Sequence, residues 1–220
     1  MKRIEAIRLE GVLPKVFVGD EAQERPSDVW RTSLTLQRGK NYCINAASGT
    51  GKTSLCSFLM GVRHDYIGSI CFDDKNISKF THSDWADIRC HNLAYLPQEL
   101  GLFDELTALE NVLLKNRLTD FKTEQEIRQM FERLGIDHRI NQQAGRLSVG
   151  QKQRVALIRA LCQPFDFLLL DEPVSHLDLY NNEKCGELAV EAAEAQQASI
   201  IFTSVGNPLK INAPYIPLNI

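Results

Sequence analysis

The chain has 220 residues, with 25 Lys and Arg against 28 Asp and Glu, for a formal charge of −3. That length holds one large domain, or one with a small subdomain, and buries a core without disulfides or a metal. The near-neutral charge argues against a broad nucleic-acid surface, and 44% hydrophobic with 24% charged residues excludes a disordered chain.

Residues 2–13 and 30–45 are rich in strand formers, and the charged stretch 20–28, with Pro26, is expected to be a surface connection. Arg38-Gly39-Lys40 signals a turn, and Tyr42-Cys43-Ile44 a short buried strand ending at Asn45. A helix is expected over 53–60, stopped by Gly61, followed by strands at 67–73 and 93–96. The middle is more helical. Ala108, Leu109, Val112 and Leu113 share one helical face, and Ile127, Met130, Phe131 and Leu134 another, closed by Gly135. Ser148 can cap a helix running to Leu161, with Pro164 beyond its end. A strand over 165–170, a helix over 181–198 and a strand over 199–203 follow, then a loop at Gly206-Asn207-Pro208. This alternation predicts an α/β core interrupted by helices.

Membrane embedding is not expected. The apolar run 165–170 already contains Asp166, whereas a bilayer span needs roughly 20 mainly apolar residues. The start, Met1-Lys2-Arg3-Ile4-Glu5, lacks a secretory apolar segment. The six cysteines show no CxxC spacing and no histidine partner set, so they read as reduced, packed thiols.

The sharpest signal is Ala46-Ala47-Ser48-Gly49-Thr50-Gly51-Lys52-Thr53, set between a strand and a helix and running on into Ser54. Gly49 and Gly51 let the backbone wrap an anion, with amide donors and a helix N-terminus facing it. Lys52 can reach outer phosphates and the Thr53 hydroxyl can ligate magnesium. Ala46 stands where the strict phosphate-loop pattern has glycine, which is tolerable at negative φ. The second signal is Phe167-Leu168-Leu169-Leu170-Asp171-Glu172-Pro173. An apolar strand there can deliver Asp171 to magnesium, and Glu172 can polarise a water attacking the γ-phosphate. A solvated strand edge would also end in acids; pairing with Lys52 and Thr53 favours chemistry.

With these residues in place, the sequence resembles the ATP-binding-cassette (ABC) ATPases. Leu147-Ser148-Val149-Gly150-Gln151 looks like the family's Leu-Ser-Gly-Gly-Gln signature, and 152–161 like its continuation. Gln98, in Tyr95-Leu96-Pro97-Gln98-Glu99, matches the family's Q-loop glutamine, and Ser175-His176-Leu177-Asp178 its D-loop. The resemblance covers roughly residues 4–205. Residues 102–112 further resemble the lipoprotein-release and macrolide-export branch.

The resemblance implies a single nucleotide-binding domain over 1–220. Its RecA-like phosphate-loop core would carry an N-terminal antiparallel β subdomain and a helical insertion near 99–163. It implies ATP and Mg2+ as ligands, with Gln98, Lys52 and Glu172 catalytic and Thr53, Gln98 and Asp171 at the metal. It implies that Ser148, Gly150, Gln151 and Asp178 act across a head-to-tail homodimer or heterodimer. Aromatic residues ahead of the cradle stack on adenine in the family, and Phe17 is the candidate here. Transmembrane permease subunits would be the partners, placing the chain in the cytoplasm on the inner face of the membrane, with no direct nucleic-acid binding.

Two departures stand out. Ser204 occupies the place of the family's switch histidine, and Val149 replaces the signature's first glycine. Serine cannot supply an imidazole contact, and a β-branched side chain is stiff beside a close nucleotide. The expectation is ATP binding with slow or partner-dependent hydrolysis, driving transport. The alternative is a nucleotide-gated mechanical or regulatory module that moves no substrate. A DNA-associated ATPase is disfavoured, because the chain lacks a coiled-coil insertion and a strong basic tail. The histidines His64, His82, His91 and His138 read as surface or structural residues. The acidic run Glu183, Glu187, Glu191 and Glu194 reads as a solvated helix face.

Overall fold

The computed structural model describes residues 2–19, 26–45, 47 and 49–220. Two sheets organise it. The antiparallel sheet contains β1 (Ala6–Pro14), β2 (Ser33–Gln37), β4 (Tyr66–Phe72) and the short β5 (Lys75–Asn76), in the order β2-β1-β4-β5. The parallel sheet runs β6-β7-β8-β3-β9, from β3 (Asn41–Asn45), β6 (Leu93–Leu96), β7 (Phe167–Leu170), β8 (Ser199–Ser204) and β9 (Tyr215–Asn219).

Parallel strands covered on both faces read as unbroken apolar runs, and every residue of β7 and β8 is buried. Period-2 alternation divides them. Leu168, Leu170, Ile200 and Phe202 face one core, which they share with α3 (Ala108–Asn116), α4 (Glu124–Arg133), α5 (Val149–Leu161) and α6 (Leu179–Glu194). Phe167, Leu169 and Ile201 face the other, built from α1 (Lys52–Leu59) and the antiparallel sheet. Helices α3, α4 and α5 all lie between β6 and β7 in the chain. The register pairs Asn45 with Ser204 and Leu170 with Phe202, so β3, β7 and β8 deliver their carboxyl ends to one crest. Such a crest is where open α/β sheets bind ligands.

Several boundaries differ from those expected. The strand-rich stretch 30–45 starts its first strand only at Ser33, and the turn expected at Arg38-Gly39-Lys40 divides it, with Gly39 at a φ of 81°. The strand expected from 165 begins at 167. The Phe165 amide donates to Gln196 Oε1 (2.9 Å), and the Asp166 carboxylate accepts from Ile4 N (2.8 Å) and Asn92 Nδ2 (2.6 Å). Helix α6 starts at Leu179, not 181, because Asp178 caps it by accepting from Asn181 N, and it ends at Glu194, not 198.

Besides the short β5 and the 3-10 turns, two elements were not expected. Helix α2 (His82–His91) buries only Trp85 and so carries almost no apolar periodicity; a capping box between Thr81 and Asp84 starts it. Edge strand β9 is largely exposed and contains Pro217, which an edge tolerates. The six cysteines are free, four of them buried, and the four acidic residues of α6 are exposed. The surface connection expected at 20–28 falls largely outside the described residues.

Candidate active site

Strand β3 hands the chain to a loop and then to α1. Gly49 and Gly51 adopt φ of 84° and 100°, in the region that favours glycine, and Gly51 is the N-cap of α1. A Cβ at Gly51 would stand 3.0 Å from the rings of both Phe17 and Trp30. The loop is held from inside. Trp30 Nε1 donates to Thr50 O (3.0 Å), and Thr50 Oγ1 donates to Ala47 O (2.9 Å). Ala46 and Ser48 lie outside the described residues.

Lys52 is 5% exposed; its Nζ donates to Ala47 O (2.9 Å) and lies 3.5 Å from Glu172 Oε1. Thr53 Oγ1 donates to Gln98 Oε1 across 3.3 Å. At the end of β7, Asp171 is fully buried and Glu172 follows with φ of 49°. A non-glycine residue held there costs about 1–3 kcal/mol and persists only where its surroundings fix it. Here Glu172 N donates to Thr203 Oγ1 (2.9 Å), and Thr203 Oγ1 donates to Asp171 Oδ1 (2.8 Å). The Glu172 carbonyl accepts from Gln153 Nε2 (3.2 Å).

Among the described residues, two buried oxygens in this crest have no protein partner, Asp171 Oδ2 and Ser204 Oγ. A buried carboxylate oxygen left bare is costly, and a divalent cation would satisfy it. The donor set of Thr53, Gln98 and Asp171 is oxygen only, the chemistry magnesium takes. The Asp171 charge also reaches α1. The Cys56 thiol is pushed well above its ordinary range, first by burial and then by Asp171.

The structure thus brings Lys52 to Glu172, Thr53 to Gln98, and Asp171 to Glu172 through Thr203. Other expected residues sit elsewhere. Ser148 and Gln151 form the capping box of α5, and a Cβ at Gly150 would stand 3.1 Å from His176 O. Asp178 caps α6, and Ser54 Oγ accepts from Arg63 Nη1 (3.0 Å). Among the described residues, no hydrogen bond joins Ser148, Gly150, Gln151 or Asp178 to Lys52 or Thr53. Phe17 is 9% exposed and packs beneath Gly51. Val149, the first residue of α5, is 50% exposed. Trp30, Gln153 and Thr203 were not singled out by the sequence. Their roles rest on contacts distant in the chain, and no local pattern marks them.

A parallel sheet with a glycine loop entering a helix from one strand, and paired acids ending the strand two places along it, defines a phosphate-loop ATPase. The sequence matches the family model described as ABC transporter over residues 29–175, and the chain belongs to the ABC-transporter ATPase family. It is 31% identical to the lipoprotein-releasing system ATP-binding protein LolD of Saccharophagus degradans over 175 residues, 78% of this chain and 77% of that one. It is 31% identical to LolD of Gluconobacter oxydans over 202 residues, covering 90% and 86%. In fold it resembles the dimeric structure of MJ0796, a bacterial ABC transporter cassette. The TM-score there is 0.78 at 24% identity, covering 97% of this chain and 94% of that chain.

Proposed function

We propose that the chain is an Mg2+-dependent ATPase subunit that closes head to tail on a second cassette and so drives or gates a separate membrane permease. One observation carries the reading. Lys52, Asp171 and Glu172 meet at the crest, with a buried carboxylate oxygen left for a cation. The LolD relatives, named for a lipoprotein-releasing system, support a membrane partner. Among the described residues no helix is long and apolar enough to cross a membrane, so the reading places the chain on the inner face through that partner.

In this reading, loop amides and Lys52 hold the β- and γ-phosphates. Thr53, Gln98 and Asp171 would hold magnesium, which when bound would supply positive charge against the phosphate oxygens. Glu172 accepts a proton from the attacking water, whose oxygen bonds to the γ-phosphorus as the bond to ADP breaks. Ser204 ends β8 with a short hydroxyl where the family has an imidazole, so the γ-phosphate loses a donor and turnover is slowed. Phe17 is buried against the loop at Gly51, which leaves little of its ring for adenine to stack on. Closure shifts the population of permease states, and hydrolysis resets it.

The test is ATP turnover of the complex with its membrane partner, wild type against Glu172→Gln. Glu172→Gln is expected to lose roughly 100-fold or more in turnover while calorimetric Mg2+-ATP affinity holds. Equal turnover in both proteins removes Glu172 as the principal catalytic carboxylate.

The unpartnered Ser204 and the exposed Val149 favour a second reading, an ATP-gated module that moves no substrate. Substrate movement in reconstituted vesicles separates the two.

A further inference from the structure

We infer that Thr203 and Gln153 are positioning residues that clamp the Glu172 peptide from both sides and tie it to the acid at the metal and to the signature helix. Both are almost fully buried, at 1% and 2% exposure. Thr203 acts on the amide side: its Oγ1 accepts from Glu172 N (2.9 Å) and donates to Asp171 Oδ1 (2.8 Å). One hydroxyl therefore fixes two consecutive acids. It also decides which Asp171 oxygen is engaged, leaving Oδ2 as the bare one.

Gln153 acts on the carbonyl side. Its Nε2 donates to Glu172 O (3.2 Å) and to Ser175 Oγ (3.2 Å), while its Oε1 accepts from His176 N (3.3 Å). Gln153 lies on α5, whose first turn carries Gly150 and Gln151. The turn after β7 is thus fastened to α5 by one side chain.

The clamp has something to hold. Glu172 adopts a φ of 49°, a strained conformation for a glutamate that its surroundings must hold. Its carboxylate lies 3.5 Å from Lys52 Nζ. Relaxing the backbone would swing that carboxylate away from the line of attack, and a misplacement of about 1 Å in such a group can cost roughly 100-fold in rate. Thr203 directly precedes the divergent Ser204, so β8 retains its hold on the acids where the switch residue has changed.

The inference rests on Glu172 as the catalytic carboxylate. Its test compares Thr203→Val, Thr203→Ser and Gln153→Met in the full chain with its membrane partner, with folding checked by melting temperature. Thr203→Val and Gln153→Met are expected to lower kcat roughly 10- to 100-fold with KM for ATP within about 3-fold, and Thr203→Ser to recover most of kcat. A second readout is independent of turnover: the gain in ATP affinity on adding Mg2+, measured by calorimetry. It is expected to shrink in Thr203→Val, which frees Asp171, and to persist in Gln153→Met, which does not touch it.

Wild-type kcat in either Thr203→Val or Gln153→Met overturns the clamp. So does a Thr203→Ser protein as slow as Thr203→Val, or an unchanged Mg2+ gain in Thr203→Val. Should Thr203→Val fail to fold, Thr203→Ser and Gln153→Met still decide. Wild-type turnover in Glu172→Gln instead removes the reading beneath the clamp, and the affinity arm then judges Thr203 alone.

Discussion

Ser204 ends β8 with its hydroxyl buried and unpaired among the described residues, in register with Asn45 at the mouth of the loop. A buried hydroxyl with no partner is a cost that folding alone does not explain. A group completing its hydrogen bond from the nucleotide side would remove that cost. If, as proposed, position 204 takes the place of the family's switch histidine, serine is shorter than that imidazole, and its contact to a γ-phosphate would be longer or bridged by water. Ser204→His is therefore expected to raise kcat by about 10-fold or more, the scale of one added transition-state donor. Phosphate release from the complex with its membrane partner measures it, with melting temperature as the check on packing. A well-folded Ser204→His protein with unchanged kcat would show that position 204 does not limit the reaction.

Helix starts are the element-scale feature the sequence spells out most fully. Helices α2, α3, α4 and α5 each begin with a capping box, in which the cap side chain and the residue three on exchange hydrogen bonds with backbone amides. Three of the partners are carboxylates. The Asp84 carboxyl is held down to about 2 by the Thr81 amide, then by its hydroxyl and Lys75. The Glu126 carboxyl is likewise held to about 2 by the Thr123 amide, then by its hydroxyl and Lys122. Glu110 is lowered in the same way by Thr107. Folded values below unfolded ones mean that this stability is present above the unfolded carboxylate range near pH 4 and lost as pH falls towards about 2. Urea midpoints should therefore drop between about pH 4.5 and pH 2. Replacing Glu126 with Gln removes the titrating group and should make that acid limb shallower; an unchanged limb would rule out this cap as a contributor to it.

The same elements show where sequence reading succeeds. Ser148 was legible as a cap because it stands directly ahead of the helical run to Leu161, with Pro164 beyond that run's end. The loop and the acid strand were legible because each is contiguous. Helix α2 was not, because it lies on the surface with a single buried residue. Nor was β9, an exposed edge strand interrupted by proline. The clamp on Glu172 stayed hidden for another reason. Gln153 and Glu172 are 19 positions apart, and Thr203 and Asp171 are 32 apart, so only the packed sheet brings them together.

At the scale of the molecule, the ends of α5 and α6 expose apolar side chains that a closed fold would ordinarily cover. Val149 is 50% exposed, Leu179 62% and Tyr180 68%, and all three stand in or beside the first turns that Ser148 and Asp178 cap. Ser148, Gly150, Gln151 and Asp178 make no hydrogen bond to Lys52 or Thr53 in their own chain. A face of exposed apolar side chains beside residues without a nucleotide contact in their own chain fits association with another cassette. Closure of that face over nucleotide would give these residues partners across the seam. If two copies close in this way, blocking hydrolysis should trap the closed state, since nothing then resets it. Glu172→Gln with Mg2+ and ATP is expected to sediment at twice the 24.9 kDa of one chain, and at 24.9 kDa without nucleotide. Wild type under the same conditions should show less dimer, by the fraction that turnover returns to the open state. Tyr180→Glu, which puts charge on the exposed face far from the phosphates, should abolish the dimer while leaving monomer affinity for ATP within about 3-fold. A Glu172→Gln protein that binds Mg2+-ATP yet stays monomeric at all concentrations would reject self-pairing and leave a distinct cassette as the second half of the site.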